Sequence, residues 1–273
     1  MSASVVQASQ FSAWRANATG GALPSGLPTR PSPSTRKGVP VTGRKPRRAA
    51  LTLGIIEREV VECRACPRLV AWRETVAVDK VARFVDWEYW GRPVPGFGDP
   101  DARVLVVGLA PAAHGANRTG RMFTGDRSGD FLYASLHRTG FANQPTSERR
   151  GDGLALDGCY ITAPVKCAPP ANKPTPFERD QCRPFLEREL AALDGVRVIV
   201  ALGQFGWDAV LSQHRIRQRP RFAHAAEVAL PDGTWLLGSY HVSQQNTFTG
   251  RLTPPMLDAV FTRARTLAFE GAK

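Results

Sequence analysis

A long polar segment near the middle of the chain carries residue types that are suited to catalysis. Residues 109–127 contain Asn, Asp, Arg, Thr and His side chains, and they come directly after the apolar, largely β-branched run Val104–Val107. That run is too short for a helix, so it predicts a strand buried on both faces of a parallel sheet. The next apolar-periodic segment, from Phe131 to about Leu136, predicts a helix. Strand-to-helix connections normally take about two to six residues, so this longer one indicates a functional loop, with an ordinary polar surface loop as the alternative.

Four of the five cysteines form two pairs. Cys63 and Cys66 make a C-x2-C pair, and fourteen residues separate Cys167 from Cys182. Four thiolates can complete a tetrahedral zinc shell or bind the four irons of a cubane cluster, and their spacing alone does not separate these two sites. Cys159 lies outside both pairs, at the start of a strand, where a lone cysteine is most often a small buried apolar residue. In a reducing compartment the pairs favour metal binding over disulfides, and five buried core thiols are the alternative.

Strands that alternate with helices must position these residues. Besides the central strand, strands are predicted at 160–165, 196–202 and 236–240, and the longer helices at 51–63, 176–193, 203–213 and 255–269. For the helix at 176–193, Thr175 is the predicted N-cap and Pro176 occupies the first helical position, where proline fits best. This alternation predicts an α/β fold, a three-layer sandwich with a central, mostly parallel four-stranded sheet flanked by helices. Three of the strands run into polar loops at 109–127, 166–175 and 241–253. Because the carboxyl ends of parallel strands share one rim, we expect these loops to form one site.

The N-terminal part of the chain differs sharply in composition from the rest. The formal net charge is +12, and residues 1–50 hold eight basic residues, six prolines and no acidic residue. Such a segment cannot bury enough apolar surface to offset its chain entropy, so residues 1–48 are predicted to be a disordered basic arm before a single domain, 49–273. The excess of positive charge favours nucleic acid as the partner. The run GRKPRR beside the domain favours a DNA tether over an organelle transit peptide.

The chain lacks the sequence features of membrane and secreted proteins. No apolar run approaches the ~20 residues that a membrane span needs. No apolar core follows an N-terminal charge, as it would in a secretory signal. We therefore expect a monomer in the cytoplasm, associated with the nucleoid and without a membrane partner.

Three separated segments resemble the motifs of the uracil-DNA glycosylase superfamily, best its family 5, also called type b. They are GLAPAAHGANRTGRMFTGD at 108–126, KCAPPANKPTP at 166–176 and HVSQQNTFTGRLT at 241–253. The resemblance extends from about Leu51 to Phe269 and leaves the arm outside. It implies a monofunctional DNA N-glycosylase that flips uracil out of DNA and hydrolyses its N-glycosidic bond, leaving an abasic site. Hypoxanthine and xanthine are further candidate bases, and single-stranded DNA is a second candidate substrate beside duplex DNA.

The resemblance also favours one of the two possible metal groups, the iron–sulfur cluster over zinc. Families 4 and 5 of the superfamily hold a [4Fe–4S] cluster through four cysteines, so this cluster is the implied cofactor. The matching residues here are Cys63, Cys66, Cys167 and Cys182. One departure concerns Ala110, which stands where first-family enzymes carry a water-activating Asp; family 5 shares that absence, and we group Ala110 with the substrate-binding residues. Family 4 carries a Glu where this chain has Leu109, which favours family 5.

His241 is assigned to the central step of the implied reaction. Departure of the base needs stabilisation of its developing negative charge, which is mainly an electrostatic task. His241 follows the last strand, and a neutral imidazole can donate an N–H hydrogen bond to the uracil O2. Taken without the motif, a histidine after Tyr240 would more often be a structural residue at a strand end.

Four further residues are candidates for the site, and three of them also have a structural interpretation. Asn117 and Asp126 are the candidates for holding the attacking water, but an amide can only orient it, and Asp126 is either a general base or the N-cap of the following helix. Phe123 either stacks on the flipped base or packs in the core. Asn172 either reads the uracil edge with its paired donor and acceptor or braces its turn.

The segment after His241 is expected to contact DNA, because it can enter the minor groove while the histidine meets the base. The expected contacts are Gln244, Gln245, Asn246 and Arg251, accompanied by Thr247 and Phe248. Two alternatives to a hydrolytic glycosylase remain. One is a catalytically weak iron–sulfur DNA-binding or damage-sensing module of the same fold. The other is a relative that bonds covalently to the abasic product, against which residues 118–121 continue as in family 5.

Overall fold

The computed structural model describes residues 48–214, 216 and 219–270. The predicted arm, 1–48, lies outside the described residues except for Arg48, which begins the first helix. None of the helices within the described ranges is long and apolar enough to cross a membrane.

A mixed six-stranded sheet forms the centre of the described chain. Its strands run in the order β1-β3-β2-β4-β6-β5, and the inner four are parallel. The predicted four-stranded sheet is therefore incomplete, since a short antiparallel strand pairs with each edge. The strands are β1 (Phe97–Gly98), β2 (Val104–Val107), β3 (Cys159–Thr162), β4 (Val198–Leu202), β5 (Glu227–Ala229) and β6 (Trp235–Ser239).

The two faces of β2 explain its unbroken apolar sequence. Val104 and Val106 pack into one core cluster, whereas Leu105 and Val107 pack into a second cluster on the opposite side of the sheet. All four residues are fully buried, as expected when helices cover both faces of a parallel sheet. The prediction of a strand buried on both faces is confirmed.

Helices cover the sheet on both sides. Helices α4 and α8 pack together on one side, and α8 contacts β4 and β6. On the other side α6 contacts β2 and β4, and α1 packs against α5. The helices are α1 (Arg48–Glu62), α2 (Pro67–Asp79), α3 (Ala116–Thr119), α4 (Arg127–Arg138), α5 (Pro176–Ala192), α6 (Gln204–Gln213), α7 (Gln244–Phe248) and α8 (Pro254–Arg265), with 3-10 turns at Ala82–Phe84 and Pro170–Asn172 and a π turn at Thr266–Glu270.

The start of α5 matches its prediction in detail. Thr175 is the N-cap, Pro176 occupies the first helical position, and the Thr175 side chain accepts from the backbone N–H of Glu178. The Glu178 carboxylate accepts in return from the backbone N–H of Thr175, which completes a capping box. This cap fixes the register of the helix that carries Cys182.

A buried ion pair links the end of β3 to α5. The Lys166 Nζ lies 2.8 Å and 2.7 Å from the two carboxylate oxygens of Glu189, and both side chains are 1% exposed. The Thr162 hydroxyl donates to Glu189 and accepts from Lys166, so the three polar groups satisfy one another. A buried charge without its partner is costly, and this pair therefore holds α5 against the rim of the sheet.

Glu189→Gln should strongly destabilise the protein, because it leaves the Lys166 ammonium buried without an anion. We expect a loss of about 3–5 kcal/mol in the free energy of unfolding. Glu187→Gln is the control, since the Glu187 carboxylate is half exposed in its pair with Arg183 and should matter by no more than about 0.5 kcal/mol. Urea denaturation measures both, and equal midpoints for the two variants would contradict the assignment.

Candidate active site

The first and third polar segments meet at the rim of the sheet. The rings of Phe123 and His241 face each other with centroids 6.2 Å apart. Gly108 begins the first segment and donates its backbone N–H to Thr162 at the end of β3. Gly203 follows β4, and a Cβ there would lie 3.2 Å from the Cβ of His241. The ends of four neighbouring strands thus surround one pair of rings.

Phe123 is held in an unusual backbone conformation. Its φ is +50°, in the left-handed region that non-glycine residues seldom adopt. A Cβ at Gly108 would lie 2.7 Å from the Phe123 ring, so glycine is required for the ring to approach the strand end. The ring is half-buried and packs against the core while part of it stays exposed. Core packing is therefore one part of its role, and stacking on a base stays a prediction.

The His241 imidazole is neutral and available for a ligand. Burial lowers its pKa to about 4, because desolvation disfavours the charged ring. Part of the side chain still reaches solvent. Its ring nitrogens have no hydrogen-bond partner among the described residues, whereas its backbone carbonyl accepts from Asn246 Nδ2 at 2.8 Å. A neutral ring with a free N–H can donate to an acceptor brought to the rim.

Asp126 is the N-cap of α4, and its environment also suits proton transfer. Its carboxylate accepts from the backbone N–H of Gly129 at 2.9 Å. Burial raises the pKa of Asp126, while hydrogen bonds from Gly129 and Ser128 and the charge of Arg118 oppose the rise. A Cβ at Gly115 would lie 1.9 Å from Oδ2, so the carboxylate lies directly against that glycine. The N-cap interpretation is confirmed, and the role as a base stays a prediction.

Asn117 lies in α3, apart from the ring pair. Its side chain is fully buried and donates from Nδ2 to the Arg73 carbonyl at 3.2 Å. Its Oδ1 has no partner among the described residues. The contacts of Asn117 therefore point toward α2, and nothing in them brings the amide to His241. Its proposed role in orienting water stays a prediction.

The second polar segment presents Asn172 to solvent. Ala171 and Asn172 have φ values of +53° and +55°, and both are exposed. Two successive non-glycine residues in the left-handed region are strained, and such strain is common at ligand sites. Ala110 is half-buried and packs against the buried cluster that contains Cys66, Cys167 and Cys182. The readout of a base edge by Asn172 and the contact of Ala110 with substrate stay predictions.

The segment after His241 contains a short helix that sequence patterns did not indicate. Gln244 and Gln245 at the start of α7 are exposed. At its end Phe248 is 64% exposed, and the Arg127 guanidinium lies 5.2 Å from its ring centroid. Arg251 lies 4.5 Å from the ring centroid of Tyr240. Exposed amide, aromatic and guanidinium groups thus lie beside the rim, as a DNA-contacting surface requires.

Arg118 organises the first segment, a role that sequence reasoning missed. Its buried guanidinium lies 3.7 Å from the ring centroid of Phe84 and 4.0 Å from that of Trp87. It also donates to the carbonyls of His114 and Gly125 at 2.9 Å and 2.6 Å. The aromatic residues at 84–90 were the only signal in the sequence. The rings of Phe84 and Trp87 contact the first segment through the Arg118 guanidinium.

The paired cysteines converge from four elements. Cys63 follows α1, Cys66 caps α2, Cys167 follows β3 and Cys182 lies in α5. All are free thiols, and the last three share one buried cluster. Burial raises the pKa of Cys66 to about 11 and that of Cys167 to about 12, and repulsion among the paired cysteines contributes to both shifts. Within the described ranges, no group of three or more Cys, His, Asp or Glu side chains is arranged to hold a metal ion.

Cys159 is separate from the paired cysteines. It lies in β3, is fully buried and belongs to the main core cluster. Burial raises the pKa of its thiol. Its interpretation as a small buried apolar residue is consistent with this position.

The comparisons with known proteins agree with the motifs. Residues 95–265 match the family model described as the uracil DNA glycosylase superfamily. A type-5 uracil-DNA glycosylase of Mycobacterium tuberculosis is 58% identical over 209 residues, covering 76% of this chain and 78% of that protein. One of Thermus thermophilus is 56% identical over 207 residues, covering 76% and 94%.

The similarity to type-4 proteins is weaker and shorter. A type-4 uracil-DNA glycosylase of Archaeoglobus fulgidus is 37% identical over 113 residues, which cover 41% of this chain. The expectation from Leu109, that the chain is of the fifth family and not the fourth, agrees with this difference. The chain belongs to the uracil DNA glycosylase superfamily and, within it, to the type-5 uracil-DNA glycosylases.

Proposed function

We propose that the protein excises uracil from DNA by hydrolysing the N-glycosidic bond, as part of base-excision repair. The assignment of uracil as the substrate is supported by the similarity to proteins named type-5 uracil-DNA glycosylases. The observation that supports the chemistry is the neutral His241 ring beside Phe123, with one ring N–H free to donate. Hypoxanthine and xanthine are further substrates under this proposal, since one donor can stabilise any base that leaves as an anion.

The base leaves when its charge is stabilised. In our proposal the flipped uracil lies against the Phe123 ring, and His241 donates to O2 as negative charge develops there. A preorganised donor in a partly desolvated site costs little reorganisation during the reaction. Asn172 recognises the base edge with its amide, and Ala110 borders the base on the side of the cysteines.

A water then attacks the sugar carbon. Asp126 is our candidate base for this water, because burial raises its pKa and a carboxylate with a raised pKa accepts a proton more readily. Asn117 is the weaker candidate, because its amide is engaged with the Arg73 carbonyl. The water would thus approach from the start of α4.

We propose that Cys63, Cys66, Cys167 and Cys182 hold a [4Fe–4S] cluster. Two observations support the fit. Cys66, Cys167 and Cys182 share one buried group of side chains, with Cys63 close enough to repel all three, and the buried Arg73 guanidinium donates to the Cys167 sulfur at 3.0 Å. A buried cation beside a cysteine sulfur favours an anionic group at that site. When bound, the cluster would supply a compact redox-active anchor that joins α1, α2, β3 and α5.

DNA would bind along the rim through the segment after His241. We propose that Gln244, Gln245, Asn246 and Arg251 contact the duplex, with the exposed Phe248 filling the gap that the flipped base leaves. The basic arm adds phosphate contacts. The protein acts as a cytoplasmic monomer at the nucleoid, on duplex DNA first and on single strands second.

His241→Ala should lower the rate of uracil excision roughly a hundredfold or more, the scale of losing one oxyanion-type donor. DNA binding should change little, because the phosphate contacts persist. Single-turnover cleavage of a uracil-containing duplex, read as alkali-labile sites, measures the rate. His137→Ala is the control, since His137 is exposed on α4 and should leave the rate unchanged.

A near wild-type rate for His241→Ala would refute the donor role. A wild-type protein that binds the duplex without cutting it would instead indicate a catalytically weak DNA-binding or damage-sensing module. A parallel assay with hypoxanthine and xanthine duplexes and with single strands defines the range of substrates.

Asp126→Asn should lower the single-turnover rate by roughly 10²- to 10⁴-fold, because it removes the base and keeps an equally good N-cap. In the wild type the rate should fall as the pH drops through the raised pKa of Asp126, where the carboxylate becomes protonated. A fall in rate well above pH 4 would be assigned to Asp126 and not to protonation of His241, since the pKa of His241 is about 4.

Asn117→Ala serves as the comparison and should cause a smaller loss of rate. Unfolding midpoints of both variants show whether capping and packing are intact. Small losses in both would exclude Asp126 as the base and favour a dissociative path with a loosely held water.

Purified protein should be brown, because thiolate-to-iron charge transfer absorbs visible light whereas zinc is colourless. Cys63→Ser should lose the colour and unfold more easily. Cys159→Ser should keep the colour, since Cys159 lies in the core of the sheet. Iron, sulfide and zinc analysis after anaerobic purification measures the outcome, and zinc alone would overturn the cluster.

A further inference from the structure

Arg73 is a buried arginine in α2, and among the described residues no buried carboxylate pairs with it. Its side chain is 2% exposed, which is rare for arginine unless it is paired. The nearest carboxylate is that of Glu74, 3.7 Å away, 43% exposed and already bonded to Arg64. Glu74 thus gives the buried charge of Arg73 only a partly exposed partner, which Arg73 shares with Arg64.

The guanidinium is directed at the paired cysteines. Its Nη1 donates to the Cys167 sulfur at 3.0 Å, and Nη1 and Nη2 both donate to the Cys63 carbonyl at 3.3 Å. It thereby bridges the two cysteine pairs, which are about a hundred residues apart in sequence. Its Nε is buried without a partner among the described residues. A planar fork with several donors is suited to this bridging, which a lysine cannot reproduce.

The chemistry of the thiols explains why an arginine is placed there. Thiolates bound to a metal cluster are anionic, and a neighbouring cation then offsets their charge. The same residue accepts through its carbonyl from Asn117 of the first motif, so α2 lies between the cysteines and the active-site loop.

We propose that Arg73 is a positioning residue for the cluster: its guanidinium donates to the Cys167 thiolate, retains the cluster and raises its reduction potential. The proposal rests on the cluster assigned above. Net charge and hydrogen bonds to the sulfurs are the main protein contributions to such potentials. A donated hydrogen bond and a positive charge both favour the reduced, more negative state, so the potential should rise.

Arg73→Met removes the donor and the charge while keeping a similar apolar length. The anaerobically purified variant, loaded with its cluster, should have a more negative midpoint potential than the wild type in protein-film voltammetry. Its visible absorbance should bleach roughly 10- to 100-fold faster under ferricyanide, the usual cost of losing a residue that supports a metal ligand. Arg73→Lys keeps the charge without the fork, and both of its values should fall between those of the methionine variant and the wild type.

Arg64→Met is the matched control. Arg64 follows Cys63 directly but is 62% exposed and paired with Glu74, so its loss should change neither the potential nor the bleaching rate. A wild-type potential and bleaching rate in Arg73→Met would overturn the proposal. If that variant does not fold, Arg73→Lys decides, and wild-type values in it would overturn the hydrogen-bond role. A wild-type protein without iron would refute the cluster itself, which is a different failure.

Discussion

The in-register pairing of four parallel strands is the constraint on which the site depends. Val104 of β2 pairs with Cys159 of β3 and Val198 of β4, and the strands advance together from there. Their carboxyl ends therefore fall on one line, and the residues that follow must share one rim. The candidate residues come from distant parts of the sequence, and this pairing brings Phe123 and His241 together at that rim.

Burial then determines how the rim residues behave. Desolvation keeps His241 neutral and raises the pKa of Asp126, although water would favour the charged form of each. The same desolvation makes an unpaired charge costly behind the rim. Lys166 is accordingly matched with Glu189, and Arg73 with Cys167. The shifted pKa values at the rim and the partnered cations behind it thus follow from one physical cause.

The sequence predicted what local patterns determine. The four central strands, the cap at Thr175 and the grouping of polar loops follow from periodicity and strand-end position, and the motifs led to the family. The two edge strands were not predicted. Phe97–Gly98 is too short to show a periodic pattern of apolar residues, and Glu227–Ala229 lies on the exposed edge of the sheet. The burial of Arg73 also escaped, since its partner Cys167 lies 94 positions away in sequence.

The placement of the cysteines also has a consequence for the chain as a polymer. Cys63 and Cys182 lie on either side of the sheet's central strand in sequence, more than a hundred residues apart. Any group bound to both closes a loop of that length, and in the unfolded chain such a closure removes about 4–5 kcal/mol of conformational freedom. The cysteines and the group they bind would then act as a removable cross-link. Redox conditions that remove this group would lower the resistance of the whole domain to heat and proteases.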